Sequence, residues 1–270
     1  MTTPPRGAVT VAQVRSWKHG PAPFAMLTAY DATTAEILSE AGIPLLLVGD
    51  SVGDNVLGHA TTVPVTLEDM LHHTGAVVRG ATGPLVIADL PFGSYQVDVT
   101  EGMRAALRLV KEGGAHAVKA EGGERVVDLA RRLVEAGVPF MGHLGLTPQS
   151  VHEMGYRVQG REPAAAERIL ADASALEEAG AFAIVLEGVP ASLGKAVTAA
   201  VGVPTIGIGA GADTDGQVLV VHDLLGLGAG PPPSFVKAYA DLRGTMAEAV
   251  RAFADDVAAG AFPGPAQRYE

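Results

Sequence analysis

Ala41-Gly42-Ile43-Pro44-Leu45-Leu46-Leu47-Val48-Gly49-Asp50 packs a helix end, a joint and a strand into one short stretch. Gly just past a helix, with Pro soon after, is the usual C-terminal stop signal. The apolar run Leu45 to Val48, bounded by Pro and Gly, reads as a strand buried on both faces, as in a parallel sheet. The strand then stops on a carboxylate, Asp50. The same grammar returns at Ala136-Gly137, where Phe140 to Gly142 ends at His143, and at Ala179-Gly180, where Ala183 to Leu186 ends at Glu187.

Working outward from these joints, strands are expected at Ala25 to Thr28, Leu45 to Val48, Leu85 to Ala88, Ala117 to Lys119, Phe140 to Gly142, Ala183 to Leu186, Thr205 to Ile208 and Val218 to Val221. Helices are expected at Ala32 to Ala41, Glu101 to Lys111, Glu124 to Ala136, Pro163 to Ala179 and Ser192 to Ala200. A short helix at Val11 to Trp17 is placed to plug the barrel bottom. Beyond ProProPro at 231 to 233, a helix pair is expected over roughly Phe235 to Ala259. Eight strands interleaved with helices over about 250 residues is the count and size of a (β/α)8 TIM barrel. No linker or composition shift divides the chain, so a single barrel domain over 1–270 is expected, with tails at about 1–10 and 262–270.

In a barrel the strand C-termini converge on one face, where the chemistry sits. Asp50, Asp89 and Glu121 then come from adjacent strands two, three and four. Carboxylates that close repel one another unless something neutralises them. A hard divalent cation with oxygen ligands, Mg²⁺ before Zn²⁺, is the natural neutraliser, because none of the eight histidines has zinc-motif spacing. Each carboxylate alone could equally cap a helix or pair with Lys119. Lys119 either holds a substrate carboxylate or carbonyl oxygen or pairs with an acid. Glu187 stands on strand six, followed by Gly188, Val189 and Pro190. That apolar setting raises a carboxyl pKa and suits a general base. His143, taken alone, is more often a core histidine than a catalytic one.

Two further motifs compete for attention. Gly49-Asp50-Ser51-Val52-Gly53 matches the G-x-S-x-G nucleophile elbow. An elbow must run straight into a helix, whereas Asp54 to Thr62 carries Gly58 and no apolar period, so serine hydrolysis is disfavoured. Gly207-Ile208-Gly209-Ala210-Gly211 sits where barrels bind phosphate, yet no basic residue follows before Lys237.

Composition bounds the remaining classes. Hydrophobic residues make up 48% and charged residues 18%, enough to bury a large core. With no cysteine there is no disulfide framework, which fits a cytoplasmic location. Neither a signal-peptide pattern at MetThrThrProProArg nor an apolar stretch of about 18 residues is present, so no membrane association is expected. A net charge of −11 disfavours nucleic acid.

Ten motifs in order carry a family resemblance. MetLeuThrAlaTyrAsp (26–31), ValGlyAspSer (48–51), ThrValProVal (62–65), AlaAspLeuProPhe (88–92) and ValLysAlaGluGlyGly (118–123) come first. HisLeuGlyLeuThrProGlnSer (143–150), TyrArgValGlnGlyArg (156–161), LeuGluGlyValPro (186–190), GlyIleGlyAlaGly (207–211) and AspGlyGlnValLeuVal (215–220) follow. Over roughly Val11 to Pro263 the chain resembles the ketopantoate (3-methyl-2-oxobutanoate) hydroxymethyltransferases, whose fold is a (β/α)8 barrel. The resemblance implies transfer of a one-carbon unit from the cosubstrate 5,10-methylenetetrahydrofolate to 3-methyl-2-oxobutanoate. The product is 2-dehydropantoate, on the route to pantothenate and coenzyme A. It also implies Asp50, Asp89 and Glu121 (the last perhaps through water) as Mg²⁺ ligands, and Asp50, Ser51, Asp89, Lys119 and His143 as contacts to the keto acid. Glu187 matches the family's proton acceptor. A homo-oligomer, typically a decamer, is the further implication. A related Mg²⁺-dependent α-keto acid lyase or mutase barrel and a non-catalytic keto-acid-binding barrel are the alternatives. Two departures stand out: Ala120 replaces a larger aliphatic residue, and the 151–157 segment is one residue shorter than usual.

Overall fold

Eight strands pair in parallel and in sequence order, β1 closing on β8, to form a barrel in the computed structural model, which describes residues 7–18 and 20–269. They are β1 (Phe24–Thr28), β2 (Leu45–Val48), β3 (Leu85–Asp89), β4 (Ala117–Glu121), β5 (Phe140–Gly145), β6 (Ala183–Glu187), β7 (Thr205–Ile208) and β8 (Gly216–Leu219). The expected (β/α)8 architecture is the one observed. The chain falls into two compact units, Met1–Val220, which carries the barrel, and Val221–Glu270. Residues 1–6 of the expected N-terminal tail lie outside the described residues.

The period-2 alternation of a strand decides what faces where. Leu45, Leu47, Leu85, Ile87, Ala117, Met141, Ala183, Val185, Ile206 and Val218 point inward and pack as one cluster. Their neighbours Leu46, Val86, Val118 and Ile184 are equally buried, on the helix side. Both faces of β2, β3, β4 and β6 are therefore apolar, which is why continuous runs rather than alternation marked them. The inward positions next in phase are Asp89, Lys119, Glu121, His143 and Glu187. The polar rim is thus the top layer of the same stack that forms the core.

The helix-to-strand joints work as their sequence suggests. Gly42, Gly137 and Gly180 all take positive φ (81°, 83° and 95°), the left-handed residue that ends a helix. Asp31 and Asp98 cap their helices through Thr34 N–H and Glu101 N–H. The N-terminal helix Val11–Ser16 inserts Val14, fully buried, into the barrel cluster, with Val9, Val11, Trp17 and Phe24 packed against it. Arg15 donates to the Gly180 carbonyl and Lys18 pairs with Asp215 at 3.0 Å, both just before strands begin. The expected plug therefore closes the N-terminal end.

Three elements differ from the sequence expectation. Leu67–Gly80 is a helix that apolar spacing does not mark, because its buried positions Met70, Thr74 and Val77 include a threonine. Its start is nonetheless signalled by a capping box, Thr66 accepting from Asp69 N–H and Asp69 accepting from Thr66 N–H. Thr66→Ala should lower unfolding free energy by about 1 kcal/mol, read as a shifted denaturant midpoint at unchanged slope. The last strand runs Gly216–Leu219 rather than Val218 to Val221; a side chain at Gly216 would strike the Phe24 ring. The expected C-terminal helix pair is a single helix, Leu242–Ala258, capped by Asp241 through Gly244 N–H. It buries none of its residues in the single chain.

Candidate active site

Because strand registers align Asp89 with Lys119 and Glu121 with His143, these neighbouring rim side chains meet in pairs, while Glu187, in register with the bare Gly145, reaches His143 two residues below it. Asp50 arises differently. The inward position at the end of β2 falls on Gly49, where a Cβ would stand 2.8 Å from Ser51 Oγ and 3.5 Å from Asp89 Oδ2. Absence of that side chain clears room for both. The chain then turns so that Asp50 N–H donates to Asp89 Oδ2 at 3.1 Å.

Asp50, Ser51, Asp89, Lys119, Glu121, His143 and Glu187 all line one cavity. Every residue singled out in the sequence is therefore brought together. Lys119 Nζ lies 3.0 Å from Asp89 Oδ1 and 2.9 Å from His143 Nδ1. His143 Nε2 lies 3.3 Å from Glu187 Oε2, and Nδ1 lies 3.6 Å from Glu121 Oε1. The Asp89 Oδ1 and His143 Nε2 atoms have these close charged neighbours but no aligned hydrogen bond among the described residues.

The electrostatics follow from burial. Loss of water pushes Glu187 up to about 7, only partly opposed by Lys119. Burial, reinforced by Asp89, pushes Asp50 up to about 7, and burial with Asp50 raises Glu121. Burial disfavours the Lys119 ammonium, yet Asp89, Glu121 and Asp50 outweigh that cost and hold it charged. Burial and then Lys119 depress His143 well below the usual imidazole range, so the ring is neutral. Since Lys119 donates to Nδ1, the ring proton resides on Nε2, facing Glu187. Lys119 is the one fixed cation among the described side chains lining this cavity, against the carboxyls of Asp50, Asp89, Glu121 and Glu187.

That surplus of oxygen donors fits a hard divalent cation. Among the described residues, no three His, Cys, Asp or Glu side chains form a ready-made metal set. The expected triad is thus not preformed: Glu121 Oε2 is taken by Gln149 N–H at 3.0 Å. Asp50 Oδ2 and Asp89 Oδ2 are likewise engaged, by Gln149 Nε2–H and Asp50 N–H; Mg²⁺ is usually held by one or two carboxylates together with water and substrate oxygens.

Sequence reasoning singled out neither Gln149 nor Tyr95 nor Tyr30. Gln149 Nε2 donates to Asp50 Oδ2 at 2.8 Å, and Tyr95 OH donates to Gln149 Oε1 at 2.6 Å. Tyr30 OH and Ser51 Oγ are 2.8 Å apart. Gln149 and Tyr30 lie within motifs already quoted, where flanking charged residues drew the eye.

The two decoys resolve. Past Ser51 runs only the single turn Val52–Asn55, and among the described residues no histidine hydrogen-bonds Ser51 Oγ. Ser51→Ala should therefore cost only a hydrogen bond of about 1 kcal/mol, roughly fivefold in kcat/KM. Loss of a true serine nucleophile would cost on the order of 10⁶ in kcat. A Cβ at Gly207 would meet Thr214 Oγ1 at 2.7 Å and Gln217 Nε2 at 3.2 Å, so this glycine serves close packing.

Fold and rim together define a (β/α)8 barrel that gathers four carboxyls, one lysine and one neutral histidine at its strand C-termini, the face where barrels of this class carry their active sites. Comparison with known proteins narrows the class. The ketopantoate hydroxymethyltransferase family profile matches residues 8–265, and the chain belongs to that family. Curated relatives named 3-methyl-2-oxobutanoate hydroxymethyltransferase include one from Streptomyces coelicolor, 55% identical over 94% of this chain and 88% of that protein. Another, from Salinibacter ruber, is 52% identical over 97% of this chain and 99% of that protein. Among solved structures, phosphoenolpyruvate phosphomutase from Streptomyces platensis subsp. rosaceus aligns with TM-score 0.63 at 14% identity, covering 93% of this chain and 88% of that one. A phosphonopyruvate hydrolase in complex with oxalate and Mg²⁺ aligns with TM-score 0.61 at 13% identity, covering 96% and 93%. At such identities these structures share the fold alone. Membership makes the protein an enzyme, a transferase that requires a one-carbon donor as cosubstrate.

Proposed function

We propose that the protein transfers a hydroxymethyl group from 5,10-methylenetetrahydrofolate to 3-methyl-2-oxobutanoate, giving 2-dehydropantoate for pantothenate and coenzyme A synthesis. One observation carries this reading. Glu187, buried and pushed up to about 7, opens onto the cavity that also holds Asp50, Asp89 and Lys119. A carboxylate that ionises near neutrality can remove a carbon-bound proton when a neighbouring cation stabilises the resulting negative charge.

In this scheme Asp50 and Asp89 hold Mg²⁺, with Glu121 contributing through water. When bound, the ion supplies Lewis acidity to the keto-acid oxygens. The protein's own groups do the rest. Lys119, Ser51 and His143 hold the keto acid, and the Lys119 ammonium faces the charge that grows on the carbonyl oxygen. Glu187 takes the C3 proton, its carboxylate lying 3.3 Å from His143 Nε2. The C3 carbanion so formed bonds to the methylene carbon and one water supplies the hydroxyl oxygen, while both C–N bonds to that carbon break with their electron pairs going to nitrogen; the two nitrogens take up the proton lost from C3 and one from the water, and tetrahydrofolate departs. Depth of burial keeps competing water away: the side chains of Lys119, Asp89 and His143 are only 3–4% exposed, against 16% for Glu187.

The enzyme reading is favoured over a non-catalytic barrel because the base is present in its apolar setting. A lyase or mutase reading is disfavoured because such proteins are similar at only 14–20% identity, while named hydroxymethyltransferases reach 52–56%. No helix of the described residues is long and apolar enough to cross a membrane, which is consistent with the proposed cytoplasmic location. A homo-oligomer, in line with the decamer expected above, is part of the proposal. The exposed apolar residues Met246, Val250, Phe253 and Val257 on the helix Leu242–Ala258 support it. The direct test incubates the protein with Mg²⁺, the keto acid and the folate and follows products by mass spectrometry. Appearance of 2-dehydropantoate supports the reading; cleavage products or no reaction reject it.

A further inference from the structure

Gln149 sits in the loop after β5, within the single turn Pro148–Ser150, and is 4% exposed. Its amide meets partners on three other segments. Nε2 donates to Asp50 Oδ2 at 2.8 Å and to the Leu90 carbonyl at 2.9 Å. Oε1 accepts from Tyr95 OH at 2.6 Å and from Gln96 Nε2 at 3.1 Å. The backbone N–H donates to Glu121 Oε2 at 3.0 Å. Only one amide orientation works: a carboxylate and a carbonyl both demand a donor, so the NH₂ must face Asp50 and Leu90.

Tyr95 strengthens the arrangement. Its hydroxyl has one hydrogen, and Gln149 Oε1 at 2.6 Å is a closer acceptor than the Glu121 carbonyl at 3.2 Å. The hydroxyl then accepts from Glu121 N–H at 3.2 Å. A continuous chain thus runs from Glu121 N–H through Tyr95 and the Gln149 amide to the Asp50 carboxylate, and the Gln149 main chain returns to the Glu121 carboxylate. One residue after β5 thereby fixes two acidic side chains that come from β2 and β4. It occupies Asp50 Oδ2, leaving Oδ1 as the oxygen available to a ligand.

We propose that Gln149 is a positioning residue that presents Asp50 and Glu121 to the divalent cation. This inference rests on the metal site proposed above. Ordered donors behind metal-binding carboxylates typically matter by about 10–100-fold in metal affinity. Neither substitution used below removes the backbone N–H, so the test isolates the side-chain amide.

The experiment is calorimetric titration of Mg²⁺ into the full-length protein with 3-methyl-2-oxobutanoate present. Gln149→Met keeps the volume and removes the donor; Gln149→Asn keeps an amide one methylene too short to reach Asp50 and guards against a misfolded first variant. Both should bind Mg²⁺ about 10–100-fold more weakly per folded molecule. Gln96→Ala, an exposed change on the acceptor side, should leave Mg²⁺ affinity unchanged. A merely structural role would reduce the folded fraction and the melting temperature without altering affinity in the protein that remains folded. Wild-type affinity in both Gln149 variants, or equal weakening in Gln96→Ala, overturns the inference and leaves the metal site standing. Absence of Mg²⁺ binding by the unaltered protein overturns both.

Discussion

Glu187→Gln should reduce turnover by about 10²–10⁴-fold, the span typical of removing a general base, while leaving Mg²⁺ and keto-acid binding in place. The substitution preserves size and hydrogen-bonding reach but abolishes proton acceptance. The close contact of the Glu187 carboxyl is with His143 Nε2, 3.3 Å away, so the substitution leaves the direct contacts of Asp50, Asp89 and Lys119 in place. The loss should therefore fall on kcat rather than on keto-acid KM. A pH profile adds a second signature. The base must be ionised, so kcat/KM in the unaltered enzyme should climb as pH rises towards about 7, the value to which burial pushes Glu187. Unchanged turnover in the Gln variant would remove Glu187 from the role.

Asp89→Asn is the second large effect. Asn retains the shape, and its amide can still accept from Asp50 N–H, but the negative charge is gone. Two things are lost at once. In the proposed scheme the cation would lose one of its two carboxylate ligands, and Lys119 loses its closest counter-ion, 3.0 Å away. Lewis-acid assistance is worth several kcal/mol, hence on the order of a thousandfold in rate. Mg²⁺ affinity and turnover should fall together, and raising Mg²⁺ should restore part of the rate. Removing one partner of a buried ion pair also destabilises the fold, so thermal melting should be recorded alongside. Normal turnover at limiting Mg²⁺ would contradict the ligand assignment.

How much of this was legible in the sequence depends on what each residue type signals. Buried parallel strands announce themselves as apolar runs, and the rim residues are the charged positions that continue the inward phase. Lys119 and Glu121 show the rule: two residues apart, both inward, above Ala117. Asp50 was legible for another reason, because Gly49 surrenders the inward position to it. Gln149 was not legible as a site residue. Its role depends on a loop turning an uncharged amide towards a carboxylate 99 positions away, which periodicity cannot encode. The helix Leu67–Gly80 was hidden because its buried stripe uses Thr74, yet its Thr66–Asp69 cap was plain in the text of the chain. Gly216 and Gln217 open the last strand without looking like one, since the Phe24 ring fills the space a side chain would need. At the C-terminus, Pro-rich spacing suggested two helices where Asp241 starts only one.

Ala120 is likewise explained by phase. It lies between the inward pair Lys119 and Glu121, 1% exposed and turned away from the cavity, so its small size alters packing behind β4 rather than the rim itself.

The most direct measurement places the unaltered protein and 3-methyl-2-oxobutanoate in D₂O and follows the C3 proton by NMR, with and without Mg²⁺, before any folate is added. The account predicts rapid replacement of that proton by deuterium only when Mg²⁺ is present, and a new hydroxymethyl signal once methylenetetrahydrofolate is supplied. A C3 proton that persists in the presence of Mg²⁺ and folded protein would contradict it.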